Sequence, residues 1–147
     1  MSNPETGPLL SAGFWLHQAA LIWRAELDAR LRPLGLTHTQ FMLLASVGWL
    51  EYLHGPPTQQ EIAEQAGADR MMTSKIVRTL EGRGLLTRRA DESDARALRV
   101  ALTTTGRGLA AQATAQAREV DALFFGPDAH TLKSTLRGLA EQRRTEG

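Results

Sequence analysis

The stretch Thr58–Leu102, TQQEIAEQAGADRMMTSKIVRTLEGRGLLTRRADESDARALRVAL, decides the fold. Thr58 and Glu61 stand three residues apart, the spacing of a capping box. The Thr58 hydroxyl can accept from the Glu61 amide while the Glu61 carboxylate reaches back to the Thr58 amide. Ile62, Ala63 and Ala66 give the helix that follows one apolar face. Gly67 is free to take a left-handed turn, and Asp69 suits the N-cap of a second helix. Met72, Ile76 and Leu80 recur at four-residue spacing, which predicts that they face inward. Arg70, Met71, Ser74, Lys75 and Arg78 then lie on the outer face, and Gly84 is the expected left-handed residue past the helix end. Beyond it, Leu86, Arg88 and Ala90 alternate with Thr87, Arg89 and Asp91, and Leu98, Val100 and Leu102 alternate with Ala97, Arg99 and Ala101. These are two period-two segments, joined by a charged tip, Asp91-Glu92-Ser93-Asp94-Ala95-Arg96.

A short capped helix, a glycine turn and a second helix with a basic outer face fit a helix-turn-helix, and fit a plain helical hairpin in a core equally well. The strands shift the balance, because a basic hairpin directly after a helix-turn-helix is a wing. In combination, four segments make Thr58–Arg107 similar to the DNA-binding half of the multiple-antibiotic-resistance regulator (MarR) family of winged-helix repressors. They are Thr58-Gln59-Gln60-Glu61-Ile62-Ala63, Leu80-Glu81-Gly82-Arg83-Gly84-Leu85-Leu86, the Asp-x-x-Asp-x-Arg tip at 91–96, and Leu102-Thr103-Thr104-Thr105-Gly106-Arg107. The flanking helical segments extend the resemblance over nearly the whole chain.

The resemblance implies a mainly α fold with a small β-wing, a winged helix-turn-helix between N- and C-terminal dimerisation helices. On this reading residues 1–147 are one subunit, 37–103 the winged region, and 9–32 with 104–145 the dimerisation helices. A homodimer would hold two recognition helices about 34–36 Å apart, the pitch of a double-stranded operator. The resemblance also puts a short strand near Pro57 beside the wing.

Along the remainder, residues 1–8 are a polar tail rich in breakers, and Leu9–Leu31 reads as a helix that is apolar nearly all round. Such a helix is buried on several sides, by its own chain or by a second copy. Pro33 and Gly35 end it. Thr37 and Gln40 form another capping box, and Leu43, Leu44, Val47 and Leu50 make the inner stripe of a helix stopping before Gly55-Pro56-Pro57. Thr103 caps a long alanine-rich helix with Leu109, Ala113, Ala117, Val120 and Phe124 on one side, broken by Gly126-Pro127-Asp128. A last helix carries Leu132, Leu136 and Leu139, and 143–147 is expected to fray.

Charge is distributed unevenly. The net charge is only +1, but residues 70–107 hold nine basic side chains against four acidic ones, a surplus of five, which leaves −4 for the rest. That suits a protein that meets phosphates with one end. There is no cysteine, hence no disulfide, thiolate metal site or thiol switch, and the peroxide-sensing branch of the family is excluded. No apolar run approaches the roughly 20 residues that span a membrane, and no leader is visible, so the expected location is cytoplasmic.

Candidate site residues follow from these placements. Arg70, Met71, Ser74 and Lys75, with Thr73 behind them, are expected at base edges: arginine suits guanine O6 and N7, serine is less selective, and a methionine methyl can touch thymine's. Arg78 is expected on phosphate, as are Thr58 and Gln59 through helix amides. Arg88, Arg89 and Arg96 belong to the wing set, with Arg96 entering a minor groove. The resemblance suggests that Asp94, with Asp91, braces wing arginines; if Arg96 is consumed that way, Arg88, Arg89 or Arg99 must meet the phosphates. The family commonly binds small aromatic anions in a cleft. Phe14, Trp15, His17, His38, Trp49 and Tyr52 could line one, and they equally suit core packing. No hydrolase, zincin or phosphate-loop motif is present, and no cofactor is implied. The functional reading is a ligand-responsive repressor. The alternatives are a ligand-independent architectural protein of the same fold and a metal sensor built on His17, His38 and an acid.

Overall fold

The structure, a computed structural model, describes residues 7–94 and 96–145. Residues 1–6 of the expected tail, Ala95 of the wing tip, and 146–147 lie outside the described residues. In order the elements are α1 (Ala12–Leu31), α2 (His38–His54), α3 (Gln59–Ala66), α4 (Arg70–Gly82), β1 (Leu86–Ala90), β2 (Leu98–Leu102), α5 (Thr104–Phe125) and α6 (Ala129–Thr145), with 3-10 turns at Pro8–Leu10, Arg32–Leu34 and Gly126–Asp128. Two compact units divide the chain: Asp28–Ala115, and the described parts of Met1–Leu27 with Gln116–Gly147.

In the Asp28–Ala115 unit, both capping boxes form. Thr37 Oγ1 accepts from the Gln40 amide at 3.2 Å and Gln40 Oε1 accepts from the Thr37 amide at 3.1 Å. Thr58 and Glu61 exchange the same pair of bonds at 3.2 and 3.3 Å. Asp69 caps α4, its Oδ1 accepting from the Met72 amide at 2.7 Å. Gly84, at φ 75°, closes α4: its amide donates to Glu81 O and the Leu85 amide to Leu80 O, which satisfies two of the last carbonyls. Leu43, Leu44, Val47, Ile62, Val77, Leu80, Leu86 and Val100 are fully buried and make the core of the unit. β1 and β2 pair antiparallel, Leu86 opposite Leu102 and Ala90 opposite Leu98. In place of a third strand near Pro57 there is one antiparallel bridge between Thr58 and Arg99, with the Val100 amide donating to Pro57 O at 2.8 Å.

The phase of α4 differs from expectation. Thr73, Val77 and Leu80 face inward, Ile76 is half-buried, and Met72 is 45% exposed. Apolarity pointed to Met72 over Thr73. Thr73 is buried without an unmet polar atom because its hydroxyl donates to Asp69 O at 2.8 Å.

The Leu-Thr-x-x-Gly-Arg segment is a structural joint. The Leu102 amide donates to Glu51 Oε2 (3.3 Å), and Arg107 Nη2 lies 2.9 Å from Glu51 Oε1. Thr103 Oγ1 donates to Gly84 O (2.6 Å) and accepts from the Gly106 amide (2.9 Å), capping α5. Gly106 lies against the Leu85 backbone, where a Cβ would overlap the Leu85 carbonyl oxygen.

In the terminal unit α1 begins at Ala12, not Leu9, because Ser11 Oγ accepts from the Phe14 amide at 3.3 Å and so sets the start. Pro8 belongs to a 3-10 turn, and Arg143–Thr145 stay within α6. Trp23 Nε1 donates to Asp121 Oδ1 at 2.8 Å, joining α1 to α5. The single chain does not itself cover α1 on several sides: Trp15, Leu16, Leu21 and Ile22 are each more than half exposed. On α6, Leu132, Leu136 and Leu139 are 41–54% exposed. No described helix is long and apolar enough to cross a membrane.

Candidate nucleic-acid interface

The N-terminus of α3, the N-terminal half of α4 and the wing converge on one groove of about 490 Å³. It is lined by Thr58, Gln59, Gln60, Arg70, Ser74, Asp94, Arg96, Ala97 and Leu98. Five of the residues expected to meet DNA thus lie together: Thr58 and Gln59 from the start of α3, Arg70 and Ser74 from α4, and Arg96 from the wing tip. Gln60 was not expected there. Its place follows from the turn of α3 beside the capped end, and a polar side chain two positions past an N-cap is a weak signal. The outer face of α4 continues from the groove through Met71, Lys75 and Arg78. Met71 is 86% exposed. Arg78 is exposed but folds back, its Nη2 3.3 Å from Ser74 Oγ.

Several expected roles are corrected. Thr73 is buried and cannot reach a base from this helix phase. Arg88 is half-buried and held by a two-point fork, Nε to Glu81 Oε2 at 3.1 Å and Nη2 to Glu81 Oε1 at 2.9 Å. That bond holds the Glu81 carboxyl below its ordinary value and raises the Arg88 guanidinium. Arg88 therefore ties β1 to α4. Asp94 accepts from the Arg96 backbone amide at 3.0 Å and makes no ion pair with a wing arginine among the described residues, so it shapes the tip and leaves the Arg96 side chain exposed. Asp91 does brace an arginine, Arg99, at 3.5 Å. Its carboxyl is lowered, first by the Ser93 hydroxyl, which donates to it at 3.0 Å, and then by Arg99. Arg89 is exposed, directly across the hairpin from Arg99.

The expected effector residues divide between the units. Phe14 and Trp15 meet edge to face at 5.2 Å, and Trp15 Nε1 donates to Leu9 O; His17 is exposed on the same helix. Trp49 and Tyr52 stack at 6.0 Å on α2, 51% and 81% exposed, and His38 begins that helix. Packing within the Asp28–Ala115 unit therefore does not account for Trp49 or Tyr52. Among the described residues no group of three or more histidine, cysteine, aspartate or glutamate side chains is placed to hold a metal ion.

Comparison with known proteins agrees with this architecture. The sequence profile described as MarR family matches residues 36–98. The chain is 34% identical over 142 residues to the uncharacterized HTH-type transcriptional regulator YdcH of Bacillus subtilis, covering 96% of this chain and 95% of that one. It is 34% identical over 122 residues to the HTH-type transcriptional repressor Rv2887 of Mycobacterium tuberculosis, 83% of each chain. The crystal structure of that MarR family protein in complex with salicylic acid superposes at a TM-score of 0.66, with 30% identity over 88% of this chain and 96% of that one. The transcriptional repressor CouR bound to a 23-mer DNA duplex superposes at 0.79, with 29% identity over 95% of this chain and 99% of that one. Its relatives are regulators and not enzymes, and the chain belongs to the MarR family of DNA-binding transcriptional regulators.

Proposed function

We propose that this regulator is a repressor that binds a pseudo-palindromic operator as a homodimer in the cytoplasm and is released by a small aromatic anion. The convergence of Thr58, Gln59, Arg70, Ser74 and Arg96 on one groove carries the reading. Helix amides and arginines there can take phosphates, while Arg70, Met71, Ser74 and Lys75 present one helix face to base edges. The exposed Arg96 is the minor-groove hand. The complex of the relative CouR with DNA supports this use of the fold.

Dimerisation rests on the uncovered leucines and tryptophan of α1 and α6, which a second copy would take out of water. The effector class rests on the stacked and exposed Trp49 and Tyr52 of α2, since aromatic rings with a few polar groups suit a flat apolar ligand. The salicylic acid complex of Rv2887 supports the same class. A ligand can release DNA only by binding the two arrangements of the dimer unequally.

The test begins with selection of bound duplexes from a random pool. The selected duplex should bind two chains per site by sedimentation, and a phenolic acid that raises the melting temperature should lower affinity for it. Equal affinity for a scrambled duplex refutes the operator reading. Stabilisation by the acid without change in DNA affinity refutes the switch and leaves a ligand-independent binder.

A further inference from the structure

We infer that Arg99 is the positioning residue that sets the width of the reading groove, tying the wing to the capped start of α3; this rests on the DNA-reading role proposed above. Arg99 Nη1 donates to Pro56 O at 3.1 Å and lies 3.5 Å from Glu61 Oε1, while its Nε lies 3.5 Å from Asp91 Oδ1. The same Glu61 oxygen accepts from the Thr58 amide at 3.3 Å and the Thr58 hydroxyl at 3.0 Å. One carboxylate oxygen thus serves both the helix cap and the guanidinium from the wing.

The backbone makes the connection necessary. The groove is lined by Thr58–Gln60 at the start of α3 and by Arg96–Leu98, which lead into β2. Among the described residues the backbone joins the strand to the segment before α3 through the Thr58–Arg99 bridge and the Val100 amide bond to Pro57 O. A single bridge constrains the spacing far less than a ladder of paired residues. The guanidinium adds fixed, planar contacts to that one point, which a lysine's flexible ammonium could not reproduce. Arg99 also faces Arg89 directly across the hairpin. Like charges in that position repel, and Glu61 with Asp91 offsets this while Arg89 stays exposed. Arg99 therefore turns its Nε and Nη1 donors onto protein acceptors and acts on DNA through the groove it holds open.

Glu61 makes the idea testable. Simple electrostatics predicts that removing an acid beside the DNA face strengthens binding. The coupling predicts weaker binding. Glu61→Gln keeps the cap, because glutamine serves a capping box as well as glutamate, but loses the charge that Arg99 meets. We would titrate the selected duplex across a salt series with the full-length protein, Arg99→Gln, Glu61→Gln and the double variant, and follow the Val100 amide by hydrogen exchange without DNA.

Each single variant should lose affinity on the order of tenfold, with the double variant no worse than either. The slope of log affinity against log salt should stay at the wild-type value, because no phosphate contact is removed. Val100 exchange should quicken in Arg99→Gln. The inference is overturned if Arg99→Gln flattens the salt slope by about 0.9, the mark of a lost phosphate contact, or if Glu61→Gln binds as tightly as wild type or tighter. Should wild type prefer no duplex, the operator reading fails by itself. Val100 exchange then decides the coupling, and unchanged exchange in Arg99→Gln refutes it.

Discussion

Gly106→Ala is a substitution whose sign depends on one contact. Gly106 lies in the first turn of α5, where alanine would ordinarily gain up to about 1 kcal/mol in helix propensity. Its added Cβ would overlap the Leu85 carbonyl oxygen and lie 2.9 Å from the carbonyl carbon and 3.1 Å from Cα. All three are backbone atoms, so no rotamer change relieves the overlap. Overpacking of this kind costs about 1–3 kcal/mol. The Leu85 carbonyl also accepts from the Thr103 amide at 3.1 Å, and disturbing that bond costs about 1 kcal/mol more. The expected net loss is about 2 kcal/mol, or roughly 4–8 °C in melting temperature for a chain of this size. Gly108→Ala is the control: it sits in the same helix with nothing within 4 Å of its Cβ, and should be neutral or stabilising. Urea unfolding followed by tryptophan fluorescence, at one chain concentration, measures both variants. Equal or greater stability in Gly106→Ala would refute the claim that the motif glycine exists for this approach of α5 to the α4–β1 turn.

Three further outcomes are expected. The folded-state carboxyl of Glu81 is depressed from its ordinary value of 4.5, so its pairing with Arg88 contributes above that value and is lost as pH falls through the depressed one. The stability gap between wild type and Glu81→Gln, about 1 kcal/mol or less for a part-exposed pair, should close in acid; a gap independent of pH would contradict the fork. Thr73→Val should leave DNA affinity unchanged and shift stability by no more than about 1 kcal/mol, because the Asp69 carbonyl keeps the Thr73 amide as a donor; a tenfold loss of DNA binding would return Thr73 to the contact surface. Leu136→Asp, on the exposed apolar side of α6, should shift sedimentation from two chains to one at micromolar concentration, and an unaltered dimer would place the interface elsewhere.

Much of this was legible because its physics is local. The caps at Thr37, Thr58 and Asp69 and the left-handed Gly67 and Gly84 are decided within a few residues, and all are present. The wing register follows from period-two alternation. The α4 phase was misread because a buried threonine looks polar until its hydroxyl finds the carbonyl one turn back. Partners far apart in sequence carried no signal: Arg107 with Glu51, Arg99 with Pro56, Gly106 against Leu85. The motif Leu-Thr-x-x-Gly-Arg identified the fold, yet its reason, a joint between α2, the α4–β1 turn and α5, became visible only in three dimensions. The bonds of Arg88 to Glu81 and of Asp94 to the Arg96 backbone amide were hidden for the same cause: a charge count cannot say which partner a charged side chain meets.

The central claim is that the groove between α3, α4 and the wing reads DNA. Fluorescence anisotropy of the selected duplex with wild type and Arg96→Ala across a salt series tests it most directly. The account predicts an affinity loss of about 1–3 kcal/mol in the variant with a shallower salt slope. Unchanged affinity and slope would remove the wing tip from the interface and contradict the account.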